Sequence, residues 1–204
     1  MNFLKRILFL AILAAVIFIV FFISSYTSNT YIDAQAIEEE AIKKIESSVG
    51  ELSDAKIVNE NSMNGRYLYL VEYKKSGSAE AMLGVVEFEE VYKNKFVWRA
   101  SHYSGTGRVY YSVIDQKKSQ IAYVCFKNIS EATSVDAKIY YKEKDYPAQF
   151  EEAFSFEVPE EKYVILMRTL NDDFYYSNLS DLVFWDSEGK DISAEVRDAN
   201  RISD

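Results

Sequence analysis

The hydrophobic rhythm of the chain changes three times. From Ile7 to Ile23 seventeen consecutive residues are apolar, and Phe3 and Leu4 extend the run toward the N-terminus. As a helix rising about 1.5 Å per residue, such a run spans about 25 Å, and flanking turns bring it close to the hydrocarbon thickness of a bilayer. Lys5 and Arg6 precede the run, whereas residues 24–42 contain neither Lys nor Arg. Cytoplasmic loops keep the cations, so this asymmetry predicts a single-pass protein of the cell membrane, its N-terminus cytoplasmic and its remainder outside. Leu4, Ile7 and Ile23 thus mark a transmembrane anchor over residues 1–25, with Lys5 and Arg6 as its cytoplasmic flank. The rival is a cleaved signal peptide, because Ala34-Gln35-Ala36 resembles a processing site. That site lies thirteen residues past Ile23, farther than processing sites usually lie, and an uncleaved signal-anchor is the preferred reading.

The second rhythm is helical. After a polar stalk (residues 26–32), Ala34, Ile37, Ala41, Ile45 and Val49 recur at three- and four-residue spacing. The pattern predicts a helix from an N-capping Asp33 to about Ser48, stopped at Gly50, with Glu39–Lys43 and Glu40–Lys44 pairs on its outer face. The third rhythm alternates. Strands are expected over 55–60, 66–74, 79–89 and 96–103, with turns at Asn61–Gly65, Lys75–Ser78 and Tyr92–Lys95. Phe96, Trp98 and Ala100 share one face in this reading. Helix plus antiparallel four-strand meander makes an α+β unit over residues 33–104.

Ser104–Gly107 (SGTG) is the most glycine-dense point after the anchor and marks the expected boundary. Beyond it the reading is strands only, at 108–114, 120–127, 134–141, 148–156, 162–170, 181–185 and 191–196. Their number and spacing predict a small all-β sandwich over residues 105–204.

Composition narrows the partners. The formal charge is −9, and subtracting the two positive charges of Lys5 and Arg6 leaves −11 for the rest. An acidic domain without a basic stripe disfavours nucleic acid and other anionic polymers. Cys125 is the single cysteine, so no intrachain disulfide forms, which suits an exported bacterial domain. It sits in the apolar run IAYVCF (121–126) and is read as a small buried hydrophobe.

The anchor, the AIEEEAIKKIE helix, the YLYLVEY and KFVWRAS strands and the DSEGK turn together support a resemblance. The chain resembles uncharacterised membrane-anchored or lipoprotein ectodomains of Bacillus-type Gram-positive bacteria. The resemblance implies location and architecture, and no activity.

Residues with catalytic potential are few. His102 is the only histidine, which excludes HExxH and every two-histidine metal site. His102 and Ser104 lie two residues apart, a spacing that does not by itself make a nucleophile–base pair, and a strand-end surface histidine accounts for it. Ser53–Lys56 matches S-x-x-K but follows a helix stop and lacks the partner motifs. Gly105–Gly107 lacks a Walker lysine, and Asp186–Asp191 fails the calcium-loop pattern at Lys190 and Arg197; both read as turns. The acidic pairs Glu151–Glu152, Glu160–Glu161 and Asp172–Asp173 read as solvated strand edges. No catalytic residue, metal ligand or cofactor is assigned.

Aromatic residues are the most suggestive feature, with 16 Tyr and 13 Phe. Tyrosine buries its ring and keeps its hydroxyl wet, so most are expected at core rims. Phe174, Tyr175 and Tyr176, in the expected loop NDDFYYSNLS, are the candidate binding platform. The sequence therefore predicts a membrane-tethered extracytoplasmic binding or interaction module without catalytic activity. Its candidate partners are membrane lipid through the anchor and a protein, peptide or glycan at the surface. The alternatives are an accessory subunit of an envelope complex and a carboxylate-based hydrolase.

Overall fold

Antiparallel pairing dominates the chain. The computed structural model describes residues 16–17, 31–103, 109–114, 120–143, 149–171 and 173–199. Strand β1 (Ile32–Asp33) leads through a 3-10 turn (Ala34–Ala36) into helix α1 (Ile37–Val49). Four long strands follow: β2 (Leu52–Met63), β3 (Arg66–Lys75), β4 (Met82–Tyr92) and β5 (Lys95–Tyr103). Next come β6 (Tyr110–Ile114), β7 (Ile121–Lys127), β8 (Ser134–Glu143) and β9 (Gln149–Glu157). The chain continues through β10 (Tyr163–Thr169), β11 (Phe174–Trp185) and helix α2 (Ser193–Ala199).

Three sheets result. The first has the order β1-β5-β4-β3-β2, the second β10-β7-β6 and the third β11-β8-β9. Alternation along β3 explains the layering. Tyr69, Val71 and Tyr73 pack with Ile37, Ala41 and Ile45 of α1, whereas Leu68 and Leu70 point the other way and meet Tyr123 and Cys125 of β7. Strand β7 is itself buried on both faces. Ile121, Tyr123 and Cys125 face the first sheet, and Ala122, Val124 and Phe126 face the third. This is why IAYVCF is continuously apolar instead of alternating. The order of layers is helix, sheet, sheet, sheet.

One margin between the first and second sheets is closed by side-chain amides. Asn59 Nδ2 donates to the Tyr163 carbonyl at 2.5 Å, Asn61 Nδ2 to the Ile165 carbonyl at 2.9 Å, and Asn64 Nδ2 to Thr169 Oγ1 at 3.1 Å. The first two run from edge strand β2 to carbonyls of edge strand β10 that β7 leaves unpaired, and the third joins the β2–β3 turn to the Thr169 hydroxyl. A second polar cluster sits farther along the same interface. Glu72 accepts a hydrogen bond from the Tyr163 hydroxyl, pairs with Lys56 at 3.1 Å and lies 3.7 Å from Lys127.

Several expectations need correction. Asp33 does not cap the helix: it lies in β1, makes no side-chain cap bond, and pairs with Lys95 at 2.5 Å. Glu39 and Lys43 pair at 2.7 Å, but Lys44 lies over the Trp98 ring, 4.8 Å from its centroid. The expected five-residue turn at 61–65 is a two-residue hairpin in which Asn64 and Gly65 have φ of 52° and 77°. Phe96, Trp98 and Ala100 do not share a face. Phe88 pairs with Trp98 and Glu87 with Ala100, so Arg99 is an extra residue, and this bulge turns Ala100 to the side away from α1.

Residues 174–176 are strand, not loop: Phe174, Tyr175 and Tyr176 pair with Glu143, Lys142 and Tyr141. Residues 193–196, expected in a strand, begin α2. There Asp191 Oδ1 accepts the Ser193 amide at 2.9 Å, and Ile192 and Val196 are buried one helical turn apart. Among the described residues no helix is long and apolar enough to cross a membrane. The anchor expected over residues 1–25 lies outside the described residues except for Val16 and Ile17, which are helical and exposed. The boundary expected at Ser104–Gly107 also lies outside them.

Candidate functional site

Past Asn64, the last residue of the asparagine seam, the margin is open. There the ends of β3, β4, β5 and β6 bound a cleft of about 830 Å³. Its floor is a chain of ion pairs. Arg66 Nη1 donates to Glu87 Oε1 at 2.8 Å, and Arg66 Nη2 lies 3.3 Å from Glu89 Oε2. Arg99 grips that same Glu89 oxygen, through Nε at 2.6 Å and Nη2 at 2.5 Å. Arg66 and Glu87 are deeply buried, with side chains 8% and 9% exposed, and Arg99 faces the opening at 44%.

Local sequence explains each placement. Leu83, Val85 and Glu87 alternate along one face of β4, so a carboxylate occupies what an aliphatic pattern would fill with another hydrophobe. Arg66, opening β3, lies close enough to balance it. Arg99 follows Trp98, which faces α1, so alternation turns its guanidinium inward, and the bulge there brings Ala100 to the same side.

Glu90 adds a further carboxylate to the lining, accepting from the Tyr67 hydroxyl at 3.3 Å and the Asn94 amide at 2.9 Å, and the other lining groups are uncharged. His102 pairs with Val85 in register and keeps an exposed edge at the cleft, its ring centroid 6.4 Å from that of Tyr123. Ser112 pairs in register with Tyr123. Val91, Val113 and Ile114 supply apolar surface.

Burial drives the titrating groups toward their uncharged forms. It raises the Glu87 carboxyl above its usual range, against the opposing pull of Arg66 and Arg99. It lowers the His102 imidazole and raises the Tyr123 phenol far above its ordinary value. At neutral pH the wall therefore presents a neutral imidazole and phenol beside charges paired with one another. Among the described residues no group of three or more His, Cys, Asp or Glu could hold a metal ion.

The expected aromatic platform lies elsewhere, at the start of β11. Tyr176 is 7% exposed and Phe174 half-buried, and both pack on Tyr141 at ring-centroid separations of 5.6 Å and 4.7 Å. Tyr175 alone is exposed, at 57%. Of the sequence candidates only His102 lines the cleft. Arg66, Glu87, Glu89, Arg99, Ser112 and Tyr123 were not singled out by sequence reasoning. One signal was present: Glu87 interrupts an inward-facing hydrophobic alternation, and an inward charge needs a partner.

Comparison with known proteins adds no template: no family model, curated protein or solved structure matches the chain.

Proposed function

We propose that the chain is a membrane-tethered extracytoplasmic module that binds a ligand at this cleft without transforming it. The observation that carries the reading is the mutual pairing of four of the five Arg and Glu side chains that line the cleft. Arg66, Glu87, Glu89 and Arg99 neutralise one another and hold a rigid polar surface. Hydroxyl, imidazole and apolar groups beside them suit a ligand rich in hydroxyls or amides and low in net charge, as in a neutral glycan or a short peptide. The acidic surface beyond the anchor is consistent with exclusion of anionic polymers.

The tether reading draws support from β1. Ile32 is buried against α1 and pairs with Phe96, so residues ahead of Ala34-Gln35-Ala36 are part of the folded domain. Processing there would remove a core residue. With the anchor retained, the helix-on-meander half and the half from β6 to α2 form an ectodomain of the kind the Bacillus-type resemblance implies.

The test uses the full chain in lipid nanodiscs, presented to arrays of neutral oligosaccharides and short peptides. Capture should fall at least tenfold in Arg99→Ala and stay unchanged in Tyr175→Ala. Capture by neither array, or loss on Tyr175→Ala alone, would overturn the cleft as the site. Alkaline carbonate washing should leave the protein in membranes, and protease added to intact protoplasts should remove the ectodomain.

A second reading, carboxylate-based hydrolysis, is favoured by one observation. A carboxyl raised by burial lies beside a second carboxylate, Glu89, in a cleft. Turnover of nitrophenyl glycosides that disappears in Glu87→Gln would replace binding with catalysis.

A further inference from the structure

The chain enters the folded domain at one particular turn. Tyr31 precedes β1, and β1 pairs with Lys95 and Phe96 at the start of β5. Three contacts fasten this entry to the β4–β5 hairpin. The Tyr31 and Tyr92 rings meet edge-on at 5.9 Å, the Ala34 amide donates to the Asn94 carbonyl at 3.3 Å, and Asp33 pairs with Lys95 at 2.5 Å.

From Ile23, where the apolar run ends, to Tyr31 there are eight Cα steps. Fully extended they reach about 28 Å, and as a flexible coil about 14–17 Å. The hairpin tip is thus held within a short distance of the end of the anchor. Its composition suits that position. The turn 92–95 holds one tyrosine, two lysines and no acidic residue in a chain whose net charge is −9. Tyr92 is 59% exposed and Lys93 is exposed beside it. Tyrosine and lysine are residues that settle at membrane–water interfaces, ring at the headgroups and ammonium at the phosphates.

We infer that the β4–β5 hairpin tip, Tyr92 and Lys93 backed by Tyr31, rests on the headgroup layer of the bilayer and orients the domain upon it. The inference rests on the tether reading. Gly65, Glu90 and Val91, which line the cleft, belong to the same end of the first sheet, and the Glu90 amide donates to the Gly65 carbonyl at 2.8 Å. The cleft accordingly opens beside the membrane, within reach of a ligand carried on its surface.

The experiment places an environment-sensitive fluorophore on Lys93→Cys or on Ser76→Cys in the full chain. Ser76 is exposed in the turn at the opposite end of β3, about 30 Å away at strand rise. Each protein is reconstituted into phosphatidylcholine–phosphatidylglycerol vesicles containing a headgroup-level quencher. The label at 93 should lose at least half its emission and the label at 76 almost none, and adding Tyr92→Ser should restore most of the emission at 93. Equal emission from both labels, in protein that alkaline carbonate leaves in the vesicles, would overturn the inference while sparing the tether. Protein released by carbonate would overturn both.

Discussion

Gly84 of β4 sits directly beneath Ile45 of α1: a Cβ at Gly84 would lie 2.6 Å from Ile45 Cδ1 and 3.4 Å from the His102 carbonyl oxygen. The helix can therefore lie close to the sheet only because this position carries no side chain. Gly84→Ala should destabilise the fold by about 1–3 kcal/mol through overpacking. In an Ile45→Val background, which removes the clashing methyl, the added cost of Gly84→Ala should shrink. Urea unfolding of the four proteins of this cycle measures the coupling. Strictly additive costs would show that α1 tolerates a side chain there.

The Arg66–Glu87 pair gives a larger effect. Removing one partner leaves the other charge buried, so Arg66→Ala should cost about 3–5 kcal/mol. A double Arg66→Met, Glu87→Leu replacement should recover much of that loss. Recovery of stability without recovery of ligand capture would mark the pair as retained for the surface it presents.

His102 supplies a pH signature. Its folded-state pKa lies below the ordinary 6.5, so its neutral form is the one the fold prefers. The stability it contributes is present above the unfolded pKa and lost as pH falls through the folded value. Relative to His102→Asn, the wild-type melting temperature should decline as pH drops from about 8 to about 5. Glu87 runs the other way, its raised pKa giving stability below about 4.5 that fades as pH rises through the folded value. A wild-type-minus-variant difference that is flat with pH would show that His102 titrates as if in water.

Cys125 is completely buried, and burial pushes its thiol far above the ordinary range. It should react with a thiol reagent only when the chain opens globally. Rates measured across denaturant concentrations should track unfolding; a fast reaction in native protein would contradict the two-sided burial of β7.

The asparagine seam predicts a selective weakness. Asn61→Ala should cost about 0.5–1.5 kcal/mol by removing the bond to the Ile165 carbonyl. Asn61→Asp, which replaces the donor with a second acceptor facing that carbonyl, should cost more. Thermal melts of the two variants compare them directly.

How far the sequence carries depends on the range of the interaction. The α1 stripe and the Tyr–Leu alternation of β3 were legible because local periodicity decides them, and Ile37, Ala41 and Ile45 are buried as that stripe requires. The bulge at Arg99 was not, since one inserted residue leaves composition unchanged while reversing the face of every later residue in the strand. The cleft was hidden for the same reason: Arg66 and Glu87 are 21 positions apart, and only strand pairing brings them together. The aromatic triplet Phe174, Tyr175 and Tyr176 misled in the opposite direction. Asn171–Ser180 has the polar composition of a loop, yet pairing of that triplet with β8 makes most of the segment strand.

Two-sided burial of β7 also orders the assembly of the molecule in time. Leu68, Leu70, Leu83 and Val85 belong to strands that leave the ribosome early, while Ile121, Tyr123, Cys125 and Ile165, which cover them, are synthesised much later. If the anchor enters the membrane first, the first sheet emerges outside with this face uncovered and waits for β7 and β10 to arrive. Slowing synthesis between residues 104 and 165 would prolong that interval, during which the uncovered face is open to aggregation.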